Sequence, residues 1–176
     1  KMQRAAMTMP PGARCLIVCC YAMMCRLTLP WHSRRTSREE RQDYLLMHDL
    51  LKLNMGRGHY SFDLFKRIGP AASDACKSRD LTASGWHESG GSFDYFKYGA
   101  AASRRLIDEL EGDTVLRCCL SNAAKWNMCI VPFGIDNKSF QGGSVAGRSR
   151  APRLNDILRG LFTLQIKENF ILDSFW

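Results

Sequence analysis

The segment Gly147-Arg148-Ser149-Arg150-Ala151-Pro152-Arg153 places three guanidinium groups within six residues. Guanidinium forks match phosphate and carboxylate oxygens in pairs, so Arg148, Arg150 and Arg153 are candidate contacts to RNA, a lipid headgroup or an acidic protein surface. No aromatic residues of the kind that stack bases are interleaved nearby. His87-Glu88 follows Trp86 in a Gly-rich stretch and is the one acid–base pairing with an exposed character. It stands alone as a dipeptide. Gly142-Gly143-Ser144-Val145-Ala146-Gly147 departs from a nucleophile elbow, because Ala146 stands where the closing Gly of Gly-x-Ser-x-Gly is needed. No phosphate-binding glycine loop or dinucleotide fingerprint is present.

Eight cysteines occur, at 15, 19, 20, 25, 76, 118, 119 and 129, with four scattered histidines at 32, 48, 59 and 87. There is no Cys-x2-Cys pair, so no zinc framework is expected. Cys15/Cys25 and Cys119/Cys129 each enclose nine residues. In spacing alone this resembles the twin Cys-x9-Cys intermembrane-space proteins, whose two motifs lie on consecutive helices. Here more than ninety residues separate the pairs. The cysteines read as small buried apolar residues without a structural disulfide. The stretch Gly58 to Lys66 is similar to the exit of an EF-hand loop. Carried over, the ligand positions fall on Leu53, Met55, Arg57 and Leu64, which supply no carboxylate for calcium.

These residues must be positioned by the elements around them, and the spacing predicts a mainly α protein: a small irregular helical domain with an extended basic N-terminal arm and an apolar C-terminal tail. Thr36 with Glu39, or Ser37 with Glu40, forms a capping box, and Tyr44, Met47, Leu51 and Met55 follow at helical spacing to a Gly56 stop. Further helices are expected over Phe62–Ile68, over Ala71–Asp80, from Ser92 through Phe96, and over Ala100–Glu111 with Gly112 as terminator. Thr114–Met128 reads as helix, with Val115–Leu120 and Met128–Val131 as strands in the competing reading. Leu81–Ser92 and Asp136–Pro152 read as loops. Leu154, Ile157, Leu158, Leu161 and Phe162 give the last helix its apolar face. Ser61-Phe62-Asp63-Leu64-Phe65-Lys66 is echoed by Ser92-Phe93-Asp94-Tyr95-Phe96-Lys97, either a duplicated hairpin or two similar helix starts.

The chain of 176 residues carries 25 Lys and Arg against 17 Asp and Glu, a net charge of +8. The seven basic residues before Glu39 meet no acidic residue, so the charge belongs to residues 1–38 and the remainder is close to neutral. An acid-free, Arg-bearing segment has the composition of an organelle-import peptide, which makes the expected location mitochondrial, with a plastid as the alternative. Cys15–Cys25 is apolar but too short to span a bilayer; it suits an interfacial helix, with Trp31 at headgroup level.

Three segments follow: a basic arm over 1–38, a helical body over 39–168 and an aromatic docking tail over 169–176. Trp31, Phe170, Phe175 and Trp176 join the three arginines as candidate partner contacts, since aromatic and Arg side chains anchor interfaces. The expected function is a non-catalytic accessory subunit of an organellar multiprotein complex, membrane-associated at the inner membrane as in a respiratory assembly. Its partners would be other subunits and lipid headgroups, with no catalytic, cofactor-binding or metal-ligating residue. The alternative is an organellar ribosomal protein contacting RNA through the arm and the Arg148–Arg153 loop. A third reading is a soluble enzyme whose site is not legible.

Overall fold

The computed structural model describes residues 35–52 and 64–176. The first helix, α1 (Arg38–Lys52), opens on the capping box that the sequence predicts. Glu40 N–H donates to Ser37 Oγ at 3.1 Å, and Ser37 N–H donates to the Glu40 carboxylate at 2.6 Å. The basic arm over 1–34 with Trp31, the Cys15–Cys25 segment, the Gly56 stop and the first repeat through Asp63 lie outside the described residues.

The architecture corrects the mainly α expectation: a six-stranded mixed sheet forms the centre. Its strands are β1 (Lys66–Arg67), β2 (Ala71–Lys77), β3 (Thr82–Glu88), β4 (Phe93–Lys97), β5 (Cys129–Ile135) and β6 (Ile171–Phe175). β2, β3 and β4 pair antiparallel in sequence order, while β5 lies parallel to β2 and β6 lies parallel to β5. β1 and β2 run along the same edge of β5. Lys66 pairs with Cys129 and Ala71 with Phe133, so the β1–β2 side carries one extra residue around Gly69-Pro70. This is one strand interrupted by a bulge, where Pro70 has no N–H to give the ladder.

Four segments expected as helices or loops therefore carry strands, the first being the expected Phe62–Ile68 helix, in which Lys66–Arg67 form β1. Ala71-Ala72-Ser73-Asp74-Ala75-Cys76-Lys77 contains no β-branched or aromatic residue, and its alanines locally favour helix. Pairing on both edges overrides that preference, and Ala71, Ser73 and Ala75 are buried in alternation. Leu81–Ser92 supplies β3, and the Ser92–Phe96 echo is β4 rather than a helix. The β3–β4 turn explains the glycines and Glu88 together: Gly91 sits at φ 93°, and the Glu88 carboxylate accepts from Gly90 N–H at 2.8 Å and from Ser92 N–H at 3.4 Å. Those bonds hold the Glu88 carboxyl below its ordinary range. The residue shapes a turn.

A short 3-10 turn (Ala100–Arg104) leads to α2 (Ile107–Asn122), which runs through Gly112 instead of stopping there. A Cβ at Gly112 would lie 2.8 Å from Phe140 Cε2 and 3.2 Å from Ile157 Cγ2, so glycine serves close helix packing. After β5, the expected loop forms α3 (Lys138–Ala146), capped by Asn137 Oδ1 accepting from Phe140 N–H. α4 (Pro152–Glu168) then presents Leu154, Ile157, Leu158, Leu161 and Phe162 to the core, as its sequence spacing predicts. The expected tail is β6, entered through a left-handed Asn169.

The core lies between the sheet and α2 and α4, built on Trp86, Val115, Trp126, Val131, Phe133, Phe140 and Phe170. Among the described residues no helix covers the opposite face. One row crosses five strands as Phe175, Gly134, Ala72, His87 and Phe93, and the next holds Asp74, Gly85 and Tyr95. Among the described residues no helix is long and apolar enough to cross a membrane.

Candidate metal centre

β2 and β5 stay in parallel register through Ser73 and Ile135, and the next residue on each strand is an aspartate. Asp74 and Asp136 therefore emerge side by side at the carboxyl end of β5. In open α/β sheets the ends of strands are where ligands are held. α2 crosses the sheet here and brings Glu111 to the same point. Beyond Ile135, β5 no longer pairs with β2, and Glu111 Oε1 accepts from Ala75 N–H at 3.0 Å. A carboxylate from the helix closes the ladder where the neighbouring strand has ended.

Carboxylate oxygens of Asp74, Glu111 and Asp136 all lie within 4.8 Å of one another. Oxygens sharing one magnesium or calcium ion, at metal distances of roughly 2.0–2.6 Å, lie no more than about 4–5 Å apart, so the spacing fits a hard divalent cation. Asp74 and Asp136 are exposed, whereas Glu111 is only 2% exposed. Its second oxygen, Oε2, is buried and has no hydrogen-bond partner among the described residues. A buried carboxylate oxygen without a partner is costly unless something outside the chain completes it.

Electrostatics point the same way. Burial pushes the Glu111 carboxyl up to about 7, and the charges of Asp136, Asp74 and Asp108 add to that rise, while the Ala75 N–H bond opposes it. Among the described residues no Lys or Arg forms a salt bridge with any member of the trio.

The contact residues expected from sequence lie elsewhere. Arg148 and Arg150 are exposed on the link between α3 and α4, and Arg153 reaches Glu109 at 3.4 Å. Phe170 is buried edge-on against Trp126, with ring centroids 5.5 Å apart. Phe175 and Trp176 are exposed, and the Trp176 indole N–H donates to the Asp136 carbonyl at 3.0 Å. Nothing in the sequence singles out Asp74, Glu111 and Asp136. Each stands singly in its own element, and only the register of β2 on β5 and the crossing of α2 unite them. The thiols take no part in the cluster: Cys118 is raised to about 12 by burial, and Cys119 is also raised by burial.

No protein-family model matches the chain, and no curated protein does. Among solved structures, the crystal structure of prototype foamy virus protease-reverse transcriptase is similar at 14% identity and a TM-score of 0.33, over 99% of this chain. This chain spans 23% of that protein's length. A likeness that low carries nothing about fold or activity.

Proposed function

We propose that this protein binds divalent cations at Asp74, Glu111 and Asp136 and uses them to hydrolyse a phosphate ester. The observation that carries the reading is the convergence of three carboxylates within 4.8 Å, one of them the buried Glu111, whose Oε2 has no hydrogen-bond partner among the described residues. Oxygen-only ligands select magnesium, manganese or calcium over softer metals. Cations held by such a trio polarise a phosphoryl oxygen and lower the pKa of a bound water. In the overall reaction water adds to phosphorus, the ester P–O bond breaks and the leaving alcohol takes up a proton. The chain's own contribution is geometric. Two aspartates are fixed by strand register, and the glutamate is locked by its bond to Ala75 N–H.

Calorimetric titration with Mn2+ tests the reading, because manganese is a cation suited to carboxylate oxygens. Wild-type protein binds Mn2+, and Asp136→Asn and Asp74→Asn each weaken binding at least tenfold. Both variants also abolish hydrolysis of a phosphodiester substrate. Absent Mn2+ binding, or binding unchanged by Asp136→Asn, overturns the proposal.

The accessory-subunit reading is the second proposal. It draws support from the open sheet face, where Phe93 is 78% and Tyr95 59% exposed; large exposed apolar patches mark interaction sites. Co-purification of the tagged chain from mitochondria with a stable set of subunits tests it, and Phe93→Ser with Tyr95→Ser abolishes the association if that face is the contact.

A further inference from the structure

We infer that Trp176 is a stacking wall which seats an unpaired nucleobase beside the carboxylate trio, so that the substrate is a nucleic-acid strand; this rests on the phosphate-ester reading above. A crevice adjoins the trio, lined by Asp136, Trp176, Gly134 and Ala72. Its floor is flat. Gly134 and Ala72 are neighbours across the β5–β2 ladder, and neither projects beyond a Cβ. Asp136 contributes to both the crevice and the trio, so a group lying against Trp176 is adjacent to a phosphate held at the carboxylates.

The indole is fixed rather than loose. Its N–H donates to the Asp136 carbonyl at 3.0 Å, which ties the ring to the same residue that supplies a carboxylate. The ammonium of Lys138 lies 3.9 Å from the ring centroid, and the side chain remains 68% exposed. With the cation on one face of the ring, the rest of that exposed surface is free to meet a planar group. Lys138 also supplies a positive charge at the wall, placed for the phosphate that follows a stacked base. A fixed aromatic ring, a neighbouring cation and an anchored phosphate are the parts from which single-strand sites are built. Lone phosphate monoesters would engage the trio but leave the wall unused. Trp176 is thus a positioning residue that selects for nucleotides.

The test uses the full chain, Mn2+ and a 5′-labelled single-stranded oligonucleotide of mixed sequence, with a second oligonucleotide carrying an abasic residue beside the cleaved bond. Trp176→Ala raises KM on the order of tenfold while kcat stays within about twofold, and Trp176→Phe recovers most of the loss. The abasic strand shows the same rise with wild-type protein and no further rise with Trp176→Ala. Mn2+ affinity is the same in all three proteins. An unchanged KM in Trp176→Ala overturns the inference, as does an abasic penalty that adds to the Trp176→Ala penalty. A parallel loss of Mn2+ affinity and kcat also overturns it, because the side chain would then only support the fold of the site. Oligonucleotide binding without Mn2+, read from quenching of indole fluorescence that disappears in Trp176→Phe, keeps the two proposals separable. If wild-type protein binds no Mn2+ but shows this quenching, the phosphate-ester reading fails and the stacking wall stands.

Discussion

Asp43 and Glu111 are the most deeply buried carboxylates among the described residues, and the fold treats their charge in opposite ways. Between α1 and α4, Asp43 is fully buried; its Oδ1 accepts from Arg159 Nε–H at 2.7 Å and forms an ion pair with Arg159 Nη2 at 2.7 Å. Arg159 reaches Asp156 as well, at 2.8 Å. Desolvation of each charge is offset by its partner, and the pair fastens α1 to the body. At the end of β5, Glu111 is buried just as deeply, yet its nearest charges are two aspartates of its own sign. The contrast shows that the fold has the means to neutralise a buried carboxylate and does not use them at the trio. Charge left over at one point of a well-matched structure is what a cation from solution would complete.

The comparison breaks most visibly at the paired site. Asp43→Ala removes the buried partner of the Arg159 guanidinium, which keeps Asp156, and costs about 3 kcal/mol of stability by denaturant unfolding. A change below about 1 kcal/mol would mean that the pair is solvated and the contrast with the trio is false.

The trio gives the opposite sign. Because Glu111 titrates at about 7 in the folded chain and lower when unfolded, the folded state holds the extra proton between those values. Its contribution to stability is full at pH 4 and is lost as the pH rises to about 7. Glu111→Gln keeps the acceptor for Ala75 N–H and removes the charge, so at pH 8 without metal it stabilises the protein by on the order of 3 kcal/mol. At pH 4 the two proteins unfold alike. A destabilised Glu111→Gln variant at pH 8 would show that the carboxylate is compensated after all.

The smallest effect sharpens the assignment of the cation. Mn2+ at a hundred times its dissociation constant raises wild-type stability by about 2.7 kcal/mol at pH 8, and by much less at pH 5, where Glu111 is protonated. Asp43→Ala responds to Mn2+ as wild type does, whereas Glu111→Gln scarcely responds. Equal protection of all three proteins would place the cation elsewhere.

Much of the helical half of the fold is legible in the residues. The Ser37/Glu40 box, the apolar face of α4 from Leu154 to Phe162 and the charge asymmetry between the arm and the body all depend on neighbours a few positions apart. The sheet half is not. Ala71–Lys77 and Phe93–Lys97 carry the small residues and helix-like starts of a helical segment, and they become strands through pairing with partners elsewhere in the chain. Gly112 reads as a terminator because no local feature shows that Phe140 and Ile157 will press against it.

The sequence by itself determined where helix α1 begins, which face of α4 is apolar, and that the positive charge gathers before Glu39. Only the tertiary structure decided that Asp74, Glu111 and Asp136 meet. Helix caps and stripes arise from interactions within one or two turns, so a short window of sequence contains their cause. Strand register and the crossing of α2 over the sheet are set by contacts between distant segments, and no window that holds one of the three carboxylates holds the reason for the other two.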